Sequence, residues 1–238
     1  LIIKEIVKVK DYSKVDFGEN VGYDINILQG RGPFGKVKGI SGLINLIDFP
    51  NIYAPEIKYG GFLKKHPEAG TVILTIKDHE NKDFRTNIGF SMGADSVIQA
   101  AGATFLGMEK TDELIAIYGR VEYVKNNLPN ITKNVTDEVF IVSLEKDKSP
   151  FPGYGDRSYE SMKKEFDNFV NTGILKPYGN GVYENQHGVK IHLIEIPQKR
   201  SDGKKNKHGG ALKNSENARV IIDKLKEVGS KLPIKGVD

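Results

Sequence analysis

Arg85-Thr86-Asn87-Ile88-Gly89-Phe90-Ser91-Met92-Gly93-Ala94-Asp95-Ser96-Val97-Ile98 is the stretch from which the rest of the chain can be read. The short run Arg85 to Phe90 predicts a buried strand. The following residues, Met92 to Ala103, are rich in alanine and glycine and predict a helix able to pack closely on a sheet. Between them stands Gly89-Phe90-Ser91-Met92-Gly93, the spacing Gly-x-Ser-x-Gly. Where that spacing joins a strand to a helix, the glycines permit a tight turn and the serine projects from the bend. The next backbone N–H then points at a reacting oxygen. An ordinary tight turn has the same composition, so the flanking elements carry the reading. A serine hydroxyl is a weak nucleophile until a neighbouring base takes its proton and nearby donors stabilise the oxyanion. Ser91 therefore needs a histidine and a carboxylate from elsewhere in the chain.

Upstream, Ile2 to Val9 and Tyr23 to Leu28 are β-branched, extended runs, and the second enters a loop with Gly30, Gly32, Pro33 and Gly35. Ile40 to Ile47 suggests a short helix and Asn51 to Ala54 a short strand. Pro67 to Asn81 reads as a helix, with Pro67 at its first position and Val72, Ile73 and Ile76 on one side. A hairpin turning at Asp78 to Asp83 competes with it. The helix is preferred because it delivers Arg85 to Phe90 as a parallel strand through a right-handed crossover.

Downstream, strands are expected at Glu113 to Tyr118, Glu138 to Leu144 and Val189 to Ile196. Ser158 to Val170 is an amphipathic helix, and a last helix runs from Glu216 to Val228 with Ser215 as its cap. This alternation predicts a single α/β domain with a mostly parallel sheet and helices on both faces. Asn171 to Gln186, with Gly173, Pro177, Tyr178, Gly179, Gly181 and Tyr183, is a candidate cap or hairpin.

The 238 residues are 38% hydrophobic and 28% charged, enough apolar side chain for a sizeable core. No run approaches the roughly 18 apolar residues of a membrane span. The absence of cysteine excludes disulfides, thiolate metal sites and a cysteine nucleophile, and leaves the compartment open. The first residue is Leu1 rather than Met, and Leu1 to Glu5 lacks the pattern of a signal peptide. A removed leader or a segment of a longer, multidomain polypeptide is expected from that start. A net charge of +4 from 35 basic and 31 acidic residues is near balance, so no nucleic-acid partner is expected. No His/Asp/Glu cluster has zinc-protease spacing, and no metal or cofactor is called for. The glycines at Gly30 to Gly35 lack the Lys-Ser/Thr ending of a phosphate-binding loop.

From about Tyr23 to the C-terminus the chain resembles the α/β-hydrolase fold, the family of esterases, lipases, thioesterases and dienelactone-hydrolase-like enzymes. Lys82 to Gly93 is most similar to the dienelactone-hydrolase branch. In that family the nucleophile lies between strand and helix, the acid follows a later strand and the base sits in a loop before the last helix. The resemblance implies Ser91 as nucleophile, Asp147 as acid and His208 as base. Met92 N–H would be one oxyanion donor. The second would be Arg31 N–H, from the loop Gln29-Gly30-Arg31-Gly32. Gln29 stands where relatives often have histidine, and Gly30 keeps the glycine of close approach, so both are expected to border the substrate.

Glu145, Glu122 and Asp156 compete with Asp147 for the acid. His66, His79, His187 and His192 compete with His208, but only His208 falls in the loop before the final helix. The resemblance thus implies hydrolysis of an ester, thioester or related acyl bond of a small-molecule or lipid-like substrate. A hydrolase-like domain without catalysis, serving as a binding module, is the first alternative. A basic module that holds an anionic polymer through Lys199, Arg200, Lys204, Lys205 and Lys207 is the second.

Overall fold

Alternating side chains along the central strands decide which residues meet which helices. In the computed structural model, which describes residues 9–14, 23–30, 39–48, 52–57, 84–103, 110–147, 155–200 and 202–236, nine strands form one sheet. In chain order they are β1 (Val9–Lys14), β2 (Tyr23–Leu28), β3 (Ile52–Ile57), β4 (Phe84–Phe90) and β5 (Thr111–Ile117). β6 (Thr136–Leu144), β7 (Leu175–Gly179), β8 (Val182–Asn185) and β9 (Lys190–Ile196) follow. Their spatial order is β1-β3-β2-β4-β5-β6-β9-β8-β7. The six central strands from β3 to β9 are parallel, while β1 at one edge and the β8-β7 hairpin at the other are antiparallel.

Leu114 and Ala116, Val139 and Ile141, and Ile191 and Leu193 face one side of the sheet. There they meet α2 (Met92–Gly102), α3 (Val121–Asn127) and α4 (Tyr159–Asn171). Their strand neighbours Ile115, Ile117, Phe140, Val142, Ile194 and Ile196 face the other side, against α1 (Ser41–Leu46) and α5 (Ser215–Glu227). A period of two thus feeds two cores at once, as a sheet covered on both faces requires. On α5 the buried Ile221, Ile222 and Leu225 recur at helical spacing. Each such side chain contributes about 1.5–3 kcal/mol on burial.

β3 lies to one side of β2 and β4 to the other, so the order of strands reverses at β2. Such a reversal opens a crevice at the carboxyl ends of the two diverging strands, where ligands bind in open α/β sheets. Gln29-Gly30 follows β2 and Ser91 follows β4 at that crevice.

Several expectations need adjustment. The final helix is capped by Asn214, whose Oδ1 accepts from Asn217 N at 2.9 Å, and Ser215 is its first helical residue. The strand expected at Ile2 to Val9 lies outside the described residues except for Val9, where β1 begins. The helix expected at Pro67 to Asn81 lies wholly outside them. The segment Asn171 to Gln186 contributes β7 and β8, joined through Asn180 and Gly181 at positive φ, the left-handed turn that suits a tight hairpin. This hairpin extends the sheet beyond β9, four strand positions from β4. Among the described residues no helix is long and apolar enough to cross a membrane.

Candidate active site

Ser91 occupies the bend between β4 and α2 with φ 59° and ψ −115°, a conformation that costs a non-glycine residue about 1–3 kcal/mol. Two neighbours hold it there. Ser91 N donates to Ile117 O of β5 at 2.8 Å, and Ser91 O accepts from Asp95 N at 3.3 Å. Gly93 lets α2 settle directly on β2, because a Cβ at that position would stand 2.0 Å from Leu28 O. The loop after β2 comes equally close, since a Cβ on Gly30 would stand 2.4 Å from Ser91 Cβ and 3.1 Å from Ser91 Oγ. Met92 is the first residue of α2, and the first N–H groups of a helix have no partner within it.

Asp147 stands three residues beyond the end of β6, and His208 opens a 3-10 turn, His208–Gly210, in the segment between β9 and α5. The two meet. His208 Nδ1 lies 2.5 Å from Asp147 Oδ2, with both side chains only 15% exposed. The imidazole rests on two buried rings, with centroid distances of 5.6 Å to Phe90 and 5.4 Å to Tyr118. Phe90 is adjacent to Ser91, and Tyr118 follows the Ile117 carbonyl that accepts from Ser91 N. His208 is therefore lodged against the ring that ends β4 and the ring that follows β5. Tyr118 takes φ 58° to turn inward, and its hydroxyl is pushed well above its ordinary pKa, first by burial and then by the charge of Asp147. The sequence offers one hint of these rings: Phe90 and Tyr118 each terminate an apolar strand at the crevice.

The competing acids have other partners. Glu145 Oε2 accepts from Gln198 N, Glu122 lies in the first turn of α3, and Asp156 accepts from Ser158 N, Ser158 Oγ and Ser161 Oγ at the start of α4. Among the competing histidines, His187 lies in a turn beside Gln186 and His192 stacks on Phe140 at 4.5 Å. His66 and His79 lie outside the described residues, as does Arg31. Gln29 is 2% exposed, and its Nε2 has no hydrogen-bond partner among the described residues. The basic segment folds back on acidic neighbours. Arg200 pairs with Asp202 and Glu216, and Lys204 lies 2.7 Å from Glu216. Among the described residues no group of His, Asp or Glu is placed to hold a metal ion.

No protein-family profile matches the sequence, and no curated relative does either. Solved structures do. A candidate carboxylesterase from Lactobacillus plantarum shares 13% identity over 94% of this chain and 98% of its own, with a TM-score of 0.51. The fold is that of the α/β hydrolases. An esterase from Thermogutta terrifontis has a TM-score of 0.49 at 10% identity over 97% of this chain and 90% of its own. A dienelactone hydrolase from Anabaena variabilis has 0.47 at 12% over 92% and 98%.

Proposed function

We propose that this chain is a serine hydrolase that cleaves a carboxylic ester or thioester through an acyl-serine intermediate. The observation that carries the proposal is the Asp147–His208 contact, taken together with the strained turn at Ser91 and the rings of Phe90 and Tyr118 against His208. A carboxylate on Nδ1 leaves Nε2 as the proton acceptor and stabilises the imidazolium that forms. In the first step His208 takes the Ser91 proton while Ser91 Oγ adds to the substrate carbonyl carbon. The C–O π pair moves to the carbonyl oxygen, which the N–H of Met92 and of Arg31 stabilise. Collapse breaks the bond to the alcohol or thiol, and His208 returns the proton to that leaving group. Water then repeats the sequence and releases the acid and free Ser91.

Gly30 lets the loop after β2 approach the reacting centre, and the Gln29 side chain supplies a buried donor at the same end of the sheet. Substrates of the small or lipid-like acyl class fit this reading, and the name of the Lactobacillus plantarum structure points the same way. The ion pairs of Arg200 and Lys204 with Asp202 and Glu216 favour a self-neutralised surface loop over an anionic-polymer site.

Turnover of p-nitrophenyl acyl esters and of simple acyl thioesters by wild type and Ser91→Ala tests the proposal. Hydrolysis that depends on Ser91 is expected. Equal rates in the two proteins would remove Ser91 as the nucleophile, and no turnover in either would leave a non-catalytic scaffold as the better description.

A further inference from the structure

Asp95 is a carboxylate in a place where packing alone calls for an apolar residue. It lies one turn into α2 between Ala94 and Ser96, and it is 0% exposed. Its two oxygens are taken by one residue from the loop after β5: Oδ1 accepts from Arg120 N at 2.7 Å and Oδ2 from Arg120 Nε at 2.7 Å. A second guanidinium reaches it, with Arg157 Nη2 3.8 Å from Oδ2. Arg157 is itself only 3% exposed, and its backbone N–H donates to the carbonyl of Asp147 at 3.3 Å.

We infer that Asp95 is a positioning residue for the reaction, holding the Asp147 loop in register with the Ser91 helix through Arg120 and Arg157. The inference rests on the serine-hydrolase reading above. One chain of contacts joins the two ends of the machinery: Ser91 O to Asp95 N, the Asp95 carboxylate to Arg157, and Arg157 N to Asp147 O. A parallel tie runs from Val121 N, next to Arg120, to Asp156 O at 2.9 Å. The Asp156 carboxylate then accepts from Ser158 N, Ser158 Oγ and Ser161 Oγ at the start of α4. The two described ends of the segment between β6 and α4, at Asp147 and at Asp156 to Arg157, are thereby fastened to α2 and to the end of β5.

Desolvating an ion cluster offsets most of what its attraction supplies, so a well-packed apolar replacement is often as stable or more so. What an apolar replacement lacks is direction. Planar guanidinium groups meeting a fixed carboxylate constrain both distance and angle. A displacement of about 1 Å in a catalytic group is enough to cost about a hundredfold in rate.

The test is a double-mutant cycle on ester hydrolysis with Asp95→Asn, Asp147→Asn and the pair, together with the rate at which a fluorophosphonate labels Ser91. Asp95→Asn keeps the shape and one acceptor but removes the charge. It is expected to lower kcat at least tenfold with KM changed less than twofold, and to slow labelling in proportion. In the Asp147→Asn background the same change should cost less than twofold, because the group it positions is already disabled. Arg157→Met, which preserves length and buries readily, should repeat the pattern, and it serves alone if Asp95→Asn fails to fold. An undiminished kcat in a folded variant, or an equal loss with and without the Asp147 carboxylate, overturns the inference. Failure of the wild type to label or turn over overturns the hydrolase reading instead, so the two failures are distinguishable.

Discussion

Gly30 and Ser91 are in contact across the crevice between β2 and β4: a methyl group on Gly30 would lie 2.4 Å from Ser91 Cβ and 2.5 Å from Phe90 O. Neither obstacle is the end of a flexible side chain. Gly30→Ala must therefore shift the loop or the turn, at a cost of about 1–3 kcal/mol for overpacking. If both sides of the contact belong to the reacting centre, as proposed, turnover should fall about a hundredfold or more. Chemical denaturation and steady-state kinetics measure the two effects, and wild-type kcat/KM in Gly30→Ala would show that this approach is not needed.

The backbone of Ser91 gives an unusual stability prediction. At an ordinary position glycine is less stable than alanine by about 0.5–1 kcal/mol through backbone entropy. At φ 59° and ψ −115° any Cβ is strained, and glycine relieves that strain. Ser91→Gly should thus equal or exceed Ser91→Ala in unfolding free energy, by up to about 1 kcal/mol, with both inactive. A Ser91→Gly protein clearly less stable than Ser91→Ala would mean that the turn is relaxed in solution.

Asp147→Asn removes the charge that faces His208 Nδ1 with little change of shape. Turnover is expected to drop about 10²- to 10⁴-fold, since the imidazole loses both its orienting partner and the stabilisation of its charged form. Thermal unfolding should move little. Replacing Glu145 or Glu122, which lie on other partners or other elements, should leave most activity in place. If Asp147→Asn turned over at the wild-type rate while one of those variants did not, the acid would have to be reassigned.

His192 makes a separate prediction about pH and stability. Burial against Phe140 lowers its pKa below the ordinary imidazole value, outweighing the attraction of Glu138 Oε2 at 3.5 Å. In the unfolded chain the ring takes its proton near pH 6.5 or thereabouts, about the unperturbed value. The folded ring stays neutral to lower pH, so below that point the unfolded state binds more protons and folding loses stability. The contribution is complete above the unfolded pKa and declines as pH falls toward the folded one. Unfolding free energies of wild type and His192→Phe should accordingly differ more in favour of the wild type near neutrality than at mildly acid pH. A difference independent of pH, or one growing on acidification, contradicts this assignment.

Much of the architecture was legible because single segments encode it. The apolar runs that become β4, β5, β6 and β9 announce themselves, as does the small-residue helix after Ser91. The assignment of Ser91, Asp147 and His208 came from the α/β-hydrolase resemblance, laid over those strand and helix signals. Features made by segments that meet only in the folded chain were not. Helix α3 is a short element with Val124 as its one buried residue, too little for a periodic signal. The β7-β8 hairpin has a half-exposed composition and takes its place from pairing with β9. The ring cradle of Phe90 and Tyr118 beneath His208, and the burial of Asp95 between Arg120 and Arg157, depend on three separate loops converging. The single charged residue inside a close-packed helix of mostly small and apolar residues was the one local sign of the second.

Attack by Ser91, activated by His208, is the step on which the proposed hydrolysis depends. Incubation with a fluorophosphonate, followed by digestion and mass analysis of the peptide that contains Gly89 to Gly93, addresses it without knowledge of the natural substrate. The account predicts a single phosphonyl adduct on Ser91, formed by displacement of fluoride, absent in Ser91→Ala and slowed at least a hundredfold in His208→Ala. An unmodified Ser91 in folded wild-type protein, or an adduct that forms equally fast without His208, would contradict it.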